Sequence, residues 1–171
     1  MNSLFDESDN FSLLNQVEYL YLRVLSEPRD NSLRIVVQEA VENRLKAAQL
    51  EPCDPPALEN ILKDAHPIES TESCKTFALY WKHYAAYLIT EEGVGSSAST
   101  YDDEEFTGKL FRVYTKSHFL EHIARDTGAH FKPVQHYKLI CRNHLVDIAS
   151  YEPPQIRLIP LPAEVGLPSR W

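Results

Sequence analysis

The spacing of the apolar residues changes near residue 73 and divides the chain into two halves. Before that point apolar residues recur every three or four positions, the spacing that lines one face of a helix. After it, apolar and polar residues alternate with a period of two, which is typical of strands. The pattern therefore predicts an α+β fold, with a helical N-terminal half and a strand-rich C-terminal half.

The first half predicts a helical hairpin followed by one short helix. Apolar spacing places one helix within 10–27 and a second within 33–48, each preceded by residues that can cap a helix N-terminus. Because the link between them is short, the two helices are expected to be antiparallel. The proline-rich stretch 52–56 ends the second helix and starts a third, which ends before His66 and Pro67.

The second half predicts an antiparallel sheet of about four strands, on which the helices pack. One further helix is expected from Lys116 to Asp126, and a Pro-rich extended tail at 160–171 follows a single domain at 1–159. Residues 77–89 also fit one face of a helix, so that segment stays open between strand and helix. Strands are expected at 77–89, 109–114, 137–148, with a bend or bulge near Asn143, and 155–159.

The net charge of −8 lies wholly in the first half of the chain. Residues 1–72 hold 14 acidic and 6 basic side chains, a balance of −8, and residues 73–171 hold 11 of each, a balance of 0. This sign argues against nucleic acid and anionic membranes as partners. It predicts an acidic helical surface that binds a protein partner with a basic surface.

Three features of the sequence predict a cytoplasmic protein. The N-terminus, MNSLFDE, has neither the basic nor the apolar region of a secretory signal. The longest apolar run is far shorter than the ~20 residues that a membrane helix needs. The three cysteines form no CxxC pair, which favours reduced thiols over a disulfide framework or a zinc ribbon.

Few residue patterns point to chemistry. His118 and His122 lie one helical turn apart and could supply two ligands of a divalent metal, although the HExxH order is absent. Cys74 or Cys141, with a histidine and Asp147, has the residue types of a nucleophilic site, but both cysteines lie in apolar runs typical of structural thiols. We therefore predict no catalytic residue and no cofactor. A metal-assisted hydrolase or small-ligand-binding protein that uses His118 and His122 is the alternative.

Two segments are candidate interfaces. Aromatic residues are dense within 80–87, where they could build the core, a partner surface or a homodimer contact. An acidic run follows the Gly/Ser-rich loop that begins at Gly93, and it suits a solvated lid or a partner surface. The interface candidates are Tyr80, Trp81, Tyr84, Tyr87, Asp102, Asp103, Glu104 and Glu105.

Three stretches resemble small uncharacterised bacterial proteins, some of them immunity proteins to secreted toxins. They read FALYWKHYAAYLITEE (77–92), GKLFRVYTKSHFLEHI (108–123) and HYKLICRNHLVDI (136–148). None of them holds a motif with an established chemical role, so the resemblance assigns no catalytic residue. It implies a non-enzymatic interaction protein that neutralises or regulates a partner.

Overall fold

The computed structural model describes residues 7–43, 66–93, 103–127 and 133–162, and within these ranges the chain is mostly β. One antiparallel sheet has the strand order β1-β2-β4-β10 with β3 on β2, and the other has the order β5-β9-β8-β7-β6. The elements are α1 Glu7–Gln16, β1 Tyr19–Ser26, β2 Leu33–Glu42, β3 Ile68–Glu69, β4 Thr76–Trp81, β5 Tyr84–Glu91, β6 Glu105–Thr107, β7 Phe111–Lys116, α2 His118–Thr127, β8 Gln135–Ile140, β9 His144–Ser150 and β10 Gln155–Ile159.

The predicted helical hairpin, and with it the predicted α+β arrangement on a sheet of about four strands, is wrong. Only α1 is helical between residues 7 and 43, and β1 and β2 pair as an antiparallel hairpin. In β2, Ile35 and Val37 belong to the core, while Val36 and Gln38 on the opposite face are also buried. A strand buried on both faces shows a continuous apolar run that spacing cannot distinguish from a buried helix. The β-branched residues Ile35, Val36 and Val37 favour the strand.

The residues expected to cap the second helix form the turn of this hairpin instead. Asn31 has φ 59°, a left-handed conformation that asparagine tolerates better than most residues. The Ser32 hydroxyl accepts the Arg29 N–H at 3.0 Å and donates to the Arg29 carbonyl at 2.9 Å. The predicted third helix lies outside the described residues, as do residues 44–48, 94–102 and 163–171.

A bent two-stranded ribbon joins the two sheets. β4 runs almost directly into β5, and β9 leads into β10, so that Tyr80 lies opposite Gln155 and Tyr84 lies opposite Ser150. At the bend the Ser150 hydroxyl donates to the His83 carbonyl at 2.7 Å. Residues 77–89, which the sequence left open between strand and helix, therefore consist of most of β4, the bend and most of β5.

Of the other elements predicted in the second half, two are confirmed and one is wrong. The helix predicted at Lys116–Asp126 is confirmed as α2, and the strand predicted at 155–159 is confirmed as β10. The single long strand predicted at 137–148 is wrong, because residues 141–143 turn and separate β8 from β9. No helix among the described residues is long and apolar enough to cross a membrane.

The inner faces of the two sheets close one core around Trp81. Its fully buried ring makes edge contacts with Phe111 and Tyr137 of the second sheet, at centroid distances of 6.3 and 5.9 Å. Leu79 from the first sheet and Ile148 from the second are also fully buried. Burying each such side chain stabilises the fold by roughly 1.5–3 kcal/mol.

Asn15 fastens α1 to the start of β7. Its side-chain oxygen accepts three successive backbone N–H groups, those of Lys109, Leu110 and Phe111, at 2.7, 3.0 and 3.0 Å. The chain reaches this arrangement through Gly108, whose φ is +94°. A Cβ at that position would lie 2.1 Å from the Phe111 carbonyl oxygen, so only glycine fits.

We expect Gly108→Ala to lower the free energy of unfolding by at least about 1–3 kcal/mol, because the substitution adds backbone strain and a clash with backbone. Urea denaturation of the purified protein measures this. Gly93→Ala is the matched control, since among the described residues its added Cβ would meet the flexible Glu91 side chain, at 3.6 Å. Equal urea midpoints for the two variants would contradict this account of Gly108.

Candidate functional site

A buried chain of hydrogen bonds lies on the outer face of the second sheet, and we call it the Ser117–His136–Asp147 network. The Ser117 hydroxyl lies 2.9 Å from His136 Nδ1, and His136 Nε2 lies 2.9 Å from Asp147 Oδ1. Lys138 Nζ lies 3.2 Å from the same carboxylate oxygen. All three residues of the network are buried.

Strand alternation and register bring these residues together. In β8, Tyr137 and Leu139 point into the core, so their neighbours His136 and Lys138 lie on the outer face. The pairing of β8 with β9 places Lys138 directly opposite Asp147, which makes His136 and Asp147 diagonal neighbours on that face. Ser117, the residue before α2, completes the network.

The two nitrogens of the His136 ring have different partners. A carboxylate offers only acceptors, so Nε2 donates to Asp147, while Nδ1 shares a hydrogen bond with the Ser117 hydroxyl. The Ser117 oxygen in turn accepts the Leu120 N–H at 3.1 Å and caps α2. The His136 ring stacks on Tyr114 at a centroid distance of 4.3 Å.

These are the residue types of a hydrolase triad, but their setting is structural. A catalytic serine must reach a substrate carbonyl, whereas Ser117 is only 3% exposed and its oxygen caps the helix. The His136 ring is held between Tyr114 and Phe119. The network therefore anchors the start of α2 to the second sheet.

An exposed ionic cluster surrounds His118 beside this network. His118 Nε2 lies 3.0 Å from Asp103 Oδ1, and Nδ1 lies 3.4 Å from Glu121 Oε2. The hydrogen bond to Asp103 is the main reason that the pKa of His118 is raised, and the same bond lowers the pKa of Asp103. Glu104 accepts the His118 backbone N–H at 2.9 Å, and Glu105 lies beside Thr115.

The acidic residues Asp103, Glu104 and Glu105 therefore contact neighbouring residues of the same chain. The two histidines of α2 contact different carboxylates. His122 Nε2 lies 3.6 Å from Asp126 Oδ2, whereas His118 engages Asp103. Within the described ranges no group of three or more His, Cys, Asp or Glu side chains could hold a metal ion. Asp102 lies outside those ranges.

The candidate cysteines are not arranged as nucleophiles with Asp147. Cys141 lies in the core, and burial raises the pKa of its thiol to about 12. Asp147 is on the opposite, outer face of the sheet, as β9 parity requires. The Cys74 sulfur is 3.3 Å from the Thr71 backbone nitrogen in a turn.

The four aromatic interface candidates lie in different places. Trp81 is fully buried, and Tyr80 lies opposite Arg34 on the outer face of the first sheet. Tyr84 and Tyr87 lie in β5, and both hydroxyls donate to Oε1 of Glu27, at 2.8 and 3.0 Å. The hydrogen bond to Glu27 is the main reason that the pKa of Tyr84 is raised to about 12.

The strand that carries these two tyrosines is an exposed edge. β5 is the outermost strand of the second sheet and pairs with β9 alone among the described strands. Leu88 and Ile89, which the sequence reasoning did not single out, are 50% and 39% exposed. The available signal in the sequence was that two adjacent apolar residues, Leu88 and Ile89, stand near the end of a strand, shortly before Glu91 and Glu92. Adjacent side chains in a strand point to opposite faces, so at least one of Leu88 and Ile89 must point away from the core.

We expect Ser117→Ala to lower the free energy of unfolding by about 1–2 kcal/mol, because the variant loses the cap of α2. Asp147→Ala should cost more, about 3–5 kcal/mol, because it leaves His136 and Lys138 without their shared acceptor. Urea denaturation measures both. Asp126→Ala, at an exposed carboxylate, is the control and should stay within about 0.5 kcal/mol of wild type.

For His118 we expect an NMR titration midpoint above the usual 6.5, because its protonated form is favoured by Asp103. A raised pKa stabilises the folded state below pH 6.5, and that contribution is lost as pH rises through the folded-state value. Asp103→Asn should lower the midpoint of His118, whereas Asp126→Asn should leave it unchanged. A midpoint insensitive to Asp103→Asn would refute the assigned pairing.

No known protein family, characterised protein or solved structure matches the chain.

Proposed function

We propose that this chain is a non-enzymatic interaction protein that binds an extended segment of a protein partner along the edge of β5. The observation that carries the proposal is an edge strand with Leu88 and Ile89 exposed and Tyr84 and Tyr87 half-buried beside them. An edge strand presents backbone N–H and C=O groups that a further strand can pair with. Exposed apolar side chains add affinity when the added strand covers them.

The other sheet edges that the structure describes are short or occupied. Asn143 covers β1, because its side chain accepts the Leu22 N–H at 2.9 Å and donates to the Leu22 carbonyl at 3.0 Å. Asn10 of α1 donates to the Ile156 carbonyl of β10 at 3.0 Å, and β6 has only three residues. β5 has eight residues and neither lysine nor proline, the residues that commonly protect an edge. On β5 the Tyr84 N–H is already donated to the Asn31 carbonyl at 3.0 Å, so the edge proposed for binding begins at Ala85.

The flanks of β5 indicate the charge of the partner segment. Lys82 and His83 precede the strand, and Glu91 and Glu92 end it. In an antiparallel addition the N-terminal residues of the incoming strand lie beside Glu91 and Glu92, so basic residues are favoured there. We propose that the protein neutralises or regulates the partner that supplies this segment, the role implied by the resemblance to immunity proteins.

This location replaces the acidic helical surface expected from the charge count. Glu27 and Asp30 lie at one end of the β1–β2 hairpin and Glu18 and Glu42 at the other, about 25 Å apart along an eight-residue strand. Glu39 is paired with Lys75 of the second half at 3.3 Å. The carboxylates of the first half thus form no single face among the described residues.

We expect tagged protein to capture its partner from a lysate of the cells that express it, and Leu88→Lys to weaken that capture at least about tenfold. A charge in place of an apolar contact costs about 1.4 kcal/mol or more at such a site. Leu158→Lys on β10 is the matched control, because Leu158 is 44% exposed. Quantitative mass spectrometry compares the three baits. Identical capture by Leu88→Lys and Leu158→Lys would overturn the proposal.

A further inference from the structure

We infer that the outer face of the first sheet is a second binding surface, which takes an acidic segment of a protein partner. Three arginines on three strands carry the inference, Arg23 of β1, Arg34 of β2 and Arg157 of β10. We call these three residues and Tyr80 of β4 the arginine face. The inference goes beyond the proposed function, because β5 belongs to the other sheet.

Strand alternation and register bring the arginine face together. Arg34, Tyr80 and Arg157 lie on the outer face, because a residue next to each of them in sequence belongs to the core. Arg34 lies directly opposite Tyr80, and Arg157 lies directly opposite Ala78, two residues earlier in β4. Since β4 runs between β2 and β10, the Cα atoms of Arg34 and Arg157 are about 12 Å apart.

A buried glutamine fixes Arg23 on the same face. Gln38 is only 1% exposed, and its Oε1 accepts a hydrogen bond from Arg23 Nε at 3.0 Å while its Nε2 donates to the Thr71 carbonyl at 3.1 Å. Among the described residues, no acceptor contacts the two terminal nitrogens of Arg23. An arginine that is already held in place loses less conformational entropy when it binds a ligand.

No carboxylate neutralises the arginine face within the described ranges. None of its three arginines forms an ion pair with a described aspartate or glutamate. The outward residues level with Arg34 and Arg157 on the four long strands are also uncharged. They are Ser26, Tyr80, Gln155, Val24, Val36 and Ala78. A chain with a net charge of −8 thus has a local positive surface, which is complementary to carboxylates.

The aromatic residues of this face favour a protein segment over single-stranded nucleic acid. Sheets that bind single strands stack successive bases on several aromatic rings. The Arg23 guanidinium lies over the Tyr21 ring, 5.2 Å from its centroid, and the Tyr21 hydroxyl donates to the Ile68 carbonyl at 3.4 Å. Tyr80 is then the one ring of the arginine face left for stacking, and the net charge of −8 repels a polyanion.

The spacing of the arginines predicts the pattern of the acidic segment. In an extended segment, side chains at alternate positions lie on the same side, and residues four positions apart are about 13 Å apart. That distance matches the separation of Arg34 and Arg157. We therefore expect carboxylates at alternate positions of the segment, each bound by the planar fork of a guanidinium.

An NMR titration with a peptide of alternating glutamate and serine tests the inference. We expect backbone amide signals of β2, β4 and β10 to shift, and R34E/R157E to raise the dissociation constant at least about tenfold, because like charges then repel. K109E/R125E is the matched control, since it makes the same change in net charge at exposed residues away from the arginine face. Leu88→Lys should not weaken binding of this peptide, so the two proposed surfaces are tested independently.

Equal dissociation constants for R34E/R157E and K109E/R125E would overturn the inference, as would equal binding of a peptide of alternating glutamine and serine. Tighter binding of a single-stranded thymidine oligonucleotide of equal charge would also overturn it and assign the face to nucleic acid. R34K/R157K keeps the charge but loses the guanidinium fork, so its affinity should lie between those of wild type and R34E/R157E. Urea midpoints verify that the variants are folded.

Discussion

The bent ribbon formed by β4–β5 and β9–β10 is the constraint on which the rest of the structure depends. Its first half belongs to one sheet and its second half to the other, so the bend near His83 sets how the two inner faces meet. Trp81, the last residue before the bend, packs on Phe111 and Tyr137 of the opposite sheet. The residue at the centre of the aromatic core is therefore also the residue after which the chain passes from the first sheet to the second.

The same ribbon also determines that β5 is the edge strand of the second sheet. In the first sheet β4 lies between β2 and β10, whereas in the second sheet β9 lies inside and β5 outside. The aromatic segment thus begins in the core at Trp81 and ends at the surface at Leu88 and Ile89. One continuous stretch of sequence supplies both the centre of the fold and the proposed binding edge.

The parts of the fold that could be predicted from sequence are those with local signals. α2 has a cap residue and a clear helical spacing, and β10 is a short alternating run after two prolines. β1 and β2 could not be recognised, because burial on both faces of β2 removes the alternation and a bulge at Arg23 shifts it in β1. Tertiary packing there outweighs the helical spacing.

Some residues of the candidate sites could also be found from local sequence, whereas others depend on the tertiary fold. Tyr84 and Tyr87 could be found from aromatic density alone, but the exposure of Leu88 depends on β5 being outermost, which is a property of sheet order. Ser117, His136 and Asp147 lie up to 30 positions apart, and only the turn at 141–143 brings two of them onto one face. The sequence prediction put a bend in one strand near Asn143, where the chain in fact turns. A hairpin with its turn at 141–143 places Lys138 opposite Asp147.

Residue types suited to catalysis and residue types suited to binding lie in different places in this fold. Ser117, His136 and Asp147, which have the residue types of a hydrolase triad, are buried and hydrogen-bonded to one another. A triad is identified by access and geometry, because the residue types alone also satisfy one another inside a fold. The exposed positions of β5 instead carry Leu88 and Ile89, whose burial against another strand would release water and stabilise an assembly.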